Sequence, residues 1–314
     1  MDAGILIQVG LLRVGFVFLI KGSDFFVDGA SSIASLLKIP TIIVGLTIVA
    51  LGTSAPEAAV SITSSLTGSN AMAVSNVIGS NLFNMMMVIG ISALLSDLLM
   101  EKSVLEKDLP FLEGITILWA IFIIIGWDIT NIEGVILLII MVVYISALVY
   151  NTRKSGEAQE VEKPKLTLPK SIIFILVGIA GIVLGGDLVV DSASAIAIAL
   201  GMSETLVGLT IVAMGTSLPE LVTSITAIKK GENQLVIGNV IGSNIFNILF
   251  VLGASSAISA IPLDSSMLID VVFMLAVTIL CFIFGKTQEK YDKREGIILV
   301  TLFIVYMAFA ILRN

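Results

Sequence analysis

The sequence predicts an all-α polytopic membrane protein of ten transmembrane helices, arranged as two inverted five-helix repeats. Three observations carry that expectation. Hydrophobic residues make up 57% of the 314-residue chain and charged residues only 13%, with a mean hydropathy of +1.09. A soluble domain carries about 25% charged residues. The chain is also duplicated: VGLTIVALGTSAPE at Val44–Glu57 returns as VGLTIVAMGTSLPE at Val207–Glu220, and NVIGSNLFN at Asn76–Asn84 returns as NVIGSNIFN at Asn239–Asn247. From Gly22 to Ser92, 37 of 71 positions match the residue 163 further on. Finally, each copy holds a glutamate inside apolar sequence, as transporters built from paired repeats do at their midplane sites.

A spanning helix needs about 20 mostly apolar residues. Ten stretches qualify, near 4–35, 40–67, 71–96, 108–126, 133–150, 169–200, 205–228, 234–260, 266–285 and 295–312. The polar segment 151–170, with Pro164 and Pro169, divides the chain into repeats 1–150 and 171–314. Their duplicated cores are 44–92 and 207–255. Five crossings per repeat put the second repeat into the bilayer upside down. With both termini outside, 14 of the 17 basic residues fall in inside loops and Arg313 alone outside, which is the positive-inside pattern. The 151–170 loop is then cytoplasmic. No basic segment precedes a small-residue cleavage site at the start, so no signal peptide is expected. Cys281 is the single cysteine, which excludes an internal disulfide or a thiolate metal cluster.

Glu57 and Glu220 each follow a long apolar run. Ionisable groups at such depth cost about 2.5–3.5 kcal/mol on insertion scales and face cavities or ion paths. No lysine or arginine occupies the middle of either helix, so the two carboxylates call for an external cation rather than a structural ion pair. Pro56 and Pro219 lack an N–H and clash with the carbonyl four residues back, at Gly52 and Gly215. The break frees backbone oxygens beside Thr53, Ser54, Thr216 and Ser217. Irregular backbone at this depth survives only where it is buried or lines a cavity.

A second polar stripe runs along the next helix of each repeat. Asn76, Ser80 and Asn84 share one face, as do Asn239, Ser243 and Asn247. Gly79 and Gly242 beside them would admit a close helix neighbour. Asn81 and Asn244 point about 100° away and read as interhelical hydrogen-bonders. Asp24, Asp28, Asp187 and Asp191 also repeat; Lys21 lies one turn from Asp24, favouring a local ion pair over a cation vestibule. The central donors are all oxygen, and the chain has no histidine. Oxygen ligands suit Ca²⁺ and disfavour zinc, copper and nickel. Two negative charges match one Ca²⁺, two Na⁺, or protons, and competition for them is a basis for obligatory exchange.

GTSAPE with SNVIGSNLFN, and GTSLPE with GNVIGSNIFN, resemble the two α-repeats of the calcium/cation antiporter superfamily over essentially the whole chain. The resemblance is closest to prokaryotic sodium/calcium exchangers of ten helices. It implies an antiporter that moves Ca²⁺ against Na⁺ by alternating access. Glu57 and Glu220 would ligate Ca²⁺ and share Na⁺. Thr53, Ser54, Thr216, Ser217, Ser80 and Ser243 would complete Na⁺ sites with the carbonyls of Ala50 and Ala213. Asn84 and Asn247 would fill the central positions, while the long first and sixth helices slide as a gate. Some archaeal relatives carry aspartate where Asn247 stands. A calcium/proton exchanger and a passive calcium channel are the alternatives. An intramembrane enzyme finds no support, because there is no histidine, metal motif or serine beside a base. The expected partners are Ca²⁺, Na⁺, H⁺ as a third ion, and lipid, with no cofactor, nucleic acid or protein partner. The compact chain suits a prokaryotic cytoplasmic membrane.

Overall fold

The computed structural model describes residues 3–155, 164–202, 207–262 and 265–313. The middle of the expected linker, 156–163, and the expected start of the seventh helix at 205–206 lie outside the described residues.

The apolar runs fold as helices close to their expected bounds. They are α1 (Ala3–Leu37), α2 (Thr41–Thr53), α3 (Ala55–Leu66) and α4 (Asn70–Leu95), α5 (Leu109–Gly126) and α6 (Asn131–Ser155). The second half continues with α7 (Leu168–Ala199) and α8 (Ala213–Gly215), which follows a π-helical turn at Gly208–Val212. After these come α9 (Leu218–Lys229), α10 (Asn233–Ile258), α11 (Ser265–Gln288) and α12 (Lys293–Arg313). Among the described residues seven helices are long and apolar enough to cross a membrane, or eight when α2 and α3, bent by 49°, count as one broken span. The chain is therefore a mostly helical polytopic membrane protein.

Burial sorts the helices into a centre and a rim. The apolar stretches of α4 and α10 are 78% and 94% buried, against 11% for α1 and α6. Their sequences explain this. α4 and α10 carry the Asn/Ser stripe, which has to be shielded from hydrocarbon, whereas α1 and α6 expose Leu6, Val17, Ile132 and Val142.

α1 and α7 lie antiparallel with glycines at the seam. Gly15 meets Val189, Gly22 meets Ile182 and Gly29 meets Ile175, so position rises along one helix as it falls along the other. A Cβ on Gly22 would stand 2.7 Å from the Ile182 nitrogen, so the contact is backbone to backbone. α2 presses on α10 in the same way, with a Gly45 Cβ falling 2.9 Å from the Gly238 Cα.

Duplicated positions exchange partners across the molecule. The Asn70 amide donates to Ser259 at 2.9 Å, and its counterpart Asn233 donates to Ser96 at 3.1 Å. By contrast, Tyr144 donates to Asp108 and Tyr306 to Asp270, both at 3.1 Å, each within its own half. Two short antiparallel ladders, absent from the sequence expectation, do join the halves. β1 (Leu98–Leu99) pairs with β4 (Lys290–Tyr291), and β2 (Asp128–Ile129) with β3 (Ile261–Pro262). Periodicity could not have shown pieces two residues long.

Candidate functional site

Both proline-containing helices break where expected. α2 stops at Thr53, Ser54 adopts φ −84°, ψ 11°, and α3 restarts with Pro56 in its first turn. Ser217 takes nearly the same shape, φ −94°, ψ 4°, ahead of α9 and Pro219. A proline is tolerated in a first turn because that N–H has no intrahelical partner anyway. Glu57 and Glu220 thus stand in the first turns of α3 and α9, where the positive end of the helix dipole favours a carboxylate.

Each carboxylate is held by the other repeat. Ser217 donates to Glu57 Oε1 at 2.9 Å, and Ser54 donates to Glu220 Oε1 at 2.9 Å. Ser80 adds a third contact, to Glu57 Oε1 at 3.3 Å. Glu57, Glu220, Ser54, Ser217 and Ser80 are all fully buried. The second oxygens, Oε2 of Glu57 and Oε2 of Glu220, have no hydrogen-bond partner among the described residues. Buried polar groups are nearly always partnered, so these two carboxylate oxygens leave the buried polar cluster unsatisfied among the described residues.

The asparagine stripe surrounds that centre. Thr53 Oγ1 lies 3.0 Å from Asn239 Oδ1, and Thr216 Oγ1 lies 3.4 Å from Asn76 Oδ1. Asn76 also donates to Ser61 at 2.9 Å and Asn239 to Ser224 at 3.3 Å. These bonds fasten α4 to α3 and α10 to α9. Both side-chain atoms of Asn84, the Oδ1 of Asn247 and the Oγ of Ser243 are buried and partnerless among the described residues. Asn247 gives its Nδ2 to Asn81 Oδ1 at 3.3 Å, which turns its own oxygen free. Asn81 thus bonds between helices as expected, to a residue of the second polar stripe.

A local change of helix pitch sets the asparagines. π-helical turns occur at Gly45–Val49 and Gly208–Val212, and again at Asn84–Val88 and Asn247–Leu252. Such turns are rare and gather at functional sites. The turn that starts at Asn84 packs on α9, and the turn that starts at Asn247 packs on α3. Each turn thus packs against the helix whose first turn holds the other repeat's glutamate.

Two expected residues play smaller parts. The Ala50 carbonyl already accepts the Ser54 N–H at 3.0 Å and the Thr53 hydroxyl at 3.4 Å, so any further partner would have to displace one of them. Ala213 opens α8. Of the two glycines expected at close contacts, Gly242 behaves so, with its Cβ position 2.7 Å from the Leu46 Cα. Around Gly79 nothing among the described residues lies within 4 Å. The expected Lys21–Asp24 pair forms at 3.5 Å. Sequence reasoning missed Lys230, which reaches Asp28 at 2.8 Å and Asp24 at 3.7 Å; a contact over two hundred positions leaves no periodic trace. Among the described residues no three histidine, cysteine, aspartate or glutamate side chains cluster, so a divalent cation here would draw on amide, hydroxyl and carbonyl oxygens besides the two glutamates.

A family model described as sodium/calcium exchanger protein matches residues 7–150 and 170–312. The chain is 38% identical to CaxA of Alkalimonas amylolytica, covering 96% of this chain and 98% of that protein. It is 29% identical to the sodium/calcium exchanger MaX1 of Methanosarcina acetivorans, covering 95% and 96%. Among solved structures, the sodium-calcium exchanger NCX_Mj soaked with Na⁺ and Sr²⁺ superposes with a TM-score of 0.86 at 32% identity, over 97% of this chain and 99% of that one.

Proposed function

This chain belongs to the sodium/calcium exchanger protein family, a family of transporters, and from that premise we propose that it carries Ca²⁺ in exchange for Na⁺ by alternating access. The coarser statement, a membrane antiporter that exchanges cations, follows from family membership and the near-complete structural match. The observation that carries the finer one is the centre itself. Among the described residues two fully buried glutamates each keep one oxygen without a partner, as do the buried amide oxygens of Asn84 and Asn247. A hard cation satisfies them all. Ca²⁺ takes 6–8 oxygens in flexible geometry and its charge balances both glutamates. Na⁺ would use the same carboxylates with hydroxyls of Thr53, Ser54, Thr216, Ser217, Ser80 and Ser243 and carbonyls of Ala50 and Ala213.

The proposed topology has ten crossings in two inverted halves, 1–150 and 171–314, joined by a cytoplasmic 151–170 segment, with both termini outside. The antiparallel crossing of α1 and α7 supports this, since equivalent helices run oppositely when the relating axis lies in the membrane plane. The crossed contacts of Asn70 and Asn233 agree. The moving elements are α1 and α7, whose glycine seam makes them a unit.

A calcium/proton exchanger is the second reading, favoured by the same two bare carboxylate oxygens: a proton on each would also remove the buried charge. The decisive measurement is ⁴⁵Ca²⁺ uptake into proteoliposomes under an imposed Na⁺ gradient and, separately, an imposed pH gradient. Uptake driven by Na⁺ alone supports the first reading. Uptake driven only by pH replaces it with the second, and uptake needing neither gradient would make the protein a passive channel.

A further inference from the structure

The two faces of the molecule are fastened unequally. We infer that Lys230, with the Ser23–Thr223 hydrogen bond, is a latch that holds α1 against α9 and keeps the site closed on the face where Lys230 sits. The inference rests on the alternating-access reading above.

Lys230 follows α9, the helix that begins with Glu220. Its Nζ stands 2.8 Å from Asp28 Oδ1 and 3.7 Å from Asp24 Oδ1, and it donates to the Asp24 backbone carbonyl at 2.8 Å. Only 21% of its side chain is exposed. Two turns back along α9, Ser23 and Thr223 share a buried 3.1 Å hydrogen bond between the same two helices. Four polar links thus join α1 to α9 and the lysine that follows it.

The duplicated positions make none of these links. Lys230 corresponds to Thr67, which turns its hydroxyl back to Thr63 and Ser64 of its own helix. Thr223 corresponds to Val60 and Ser23 to Gly186. Asp187 and Asp191, the counterparts of Asp24 and Asp28, enter none of the ion pairs among the described residues.

In a transporter made of two equivalent halves, identical contacts would give the two closed faces equal stability. Links present on one face alone shift that balance, because a two-state equilibrium moves only by interactions that differ between its states. Opening the Lys230 face must separate the ammonium from two carboxylates and a carbonyl; among the described residues the duplicated positions hold no such set. The resting protein therefore favours access from the face opposite Lys230.

The test uses the full-length protein in liposomes, with Cys281→Ser removing the native thiol. One reporter, Ala227→Cys, replaces a fully buried residue one turn before Lys230. The other, Ser64→Cys, occupies the duplicated position in the first half and is 6% exposed. Lys230→Met and Asp28→Asn each remove the ion pair from a different side, so one misfolded variant leaves the other to decide. Both should raise the rate of thiol labelling at position 227 by about 3- to 10-fold, with labelling at 64 unchanged or slower, and Lys230→Arg should restore the parent rate. Unchanged rates at 227 in the folded variants, or equal rises at both reporters, would overturn the latch. Calcium uptake in the same liposomes separates the two ideas: a parent protein without gradient-driven exchange sinks the antiport reading, while the labelling asymmetry judges the latch alone.

Discussion

Ser217 donates a 2.9 Å hydrogen bond to Glu57, a carboxylate 160 residues earlier in the chain. The mirror bond, Ser54 to Glu220, has the same length. Each half of the molecule thus supplies one carboxylate and the hydroxyl that orients the other one.

Replacing either carboxylate should disable the site. Glu57→Gln or Glu220→Gln keeps the shape and removes half the formal charge. Breaking a buried charge pairing costs about 3–5 kcal/mol, or at least about 10²-fold in affinity. Calcium-binding calorimetry on the purified variants checks this, and near-parental affinity in either would refute the site.

The serines should matter less and symmetrically. Ser54→Ala and Ser217→Ala remove the donors that hold the glutamates, and groups that orient a metal ligand are worth about 10- to 100-fold in affinity. Because each serine serves the opposite repeat, Ser54→Ala combined with Glu220→Gln should cost less than the sum of the separate losses. A double-mutant cycle in ⁴⁵Ca²⁺ binding reads that coupling, and strict additivity would deny that the pair is linked.

Much of the fold and of the candidate site is legible in the sequence, and the limits have physical causes. The duplication exposed Glu57 and Glu220, the prolines exposed the broken helices, and apolar length placed the other helices to within a few residues. Spacing along a helix says which face a side chain shares, so the Asn76–Ser80–Asn84 stripe was visible. It does not say which helix lies opposite. Hence the Ser54–Glu220 exchange, the Asn81–Asn247 bond and the Lys230 contacts were hidden. The π turns at Asn84 and Asn247 were hidden too, since one added residue per turn hardly disturbs hydropathy.

The helix crossings have no spare volume. In Gly238→Ala the new methyl would run into the Ile42 carbonyl oxygen, which is backbone and cannot swing aside. Overpacking of this kind costs about 1–3 kcal/mol. The apparent melting temperature of the detergent-solubilised variant should fall, whereas Gly10→Ala, with nothing within 4 Å of its Cβ position, should leave it in place.

Na⁺ and Ca²⁺ should compete, because both need the same two carboxylates. Linkage requires each ion to weaken the other by the same factor. Protons should act in the same direction, since a protonated glutamate loses its charge and an acceptor site. Calcium affinity measured against rising Na⁺ and falling pH should drop in both series. Affinity indifferent to Na⁺ would remove the shared site.

The orientation of the halves can be read by labelling. Lys165 is exposed in the segment that joins them. Lys165→Cys, with Cys281→Ser, should react with an impermeant thiol reagent only from the cytoplasmic side. Reaction from outside would invert the proposed topology.

The crossed serines also impose an order on biogenesis. Glu57 reaches the translocon long before Ser217 is made. At about 5–20 residues per second, the intervening 160 residues take roughly 8–32 s. During that interval a carboxylate destined for the bilayer centre has no hydroxyl from the second half to meet it. The nascent first half has to shelter it by holding a proton, staying near water, or leaning on Ser80 of its own repeat. A ribosome stalled before codon 217 would therefore leave a half-molecule with an exposed acid in its core, a natural handle for quality control.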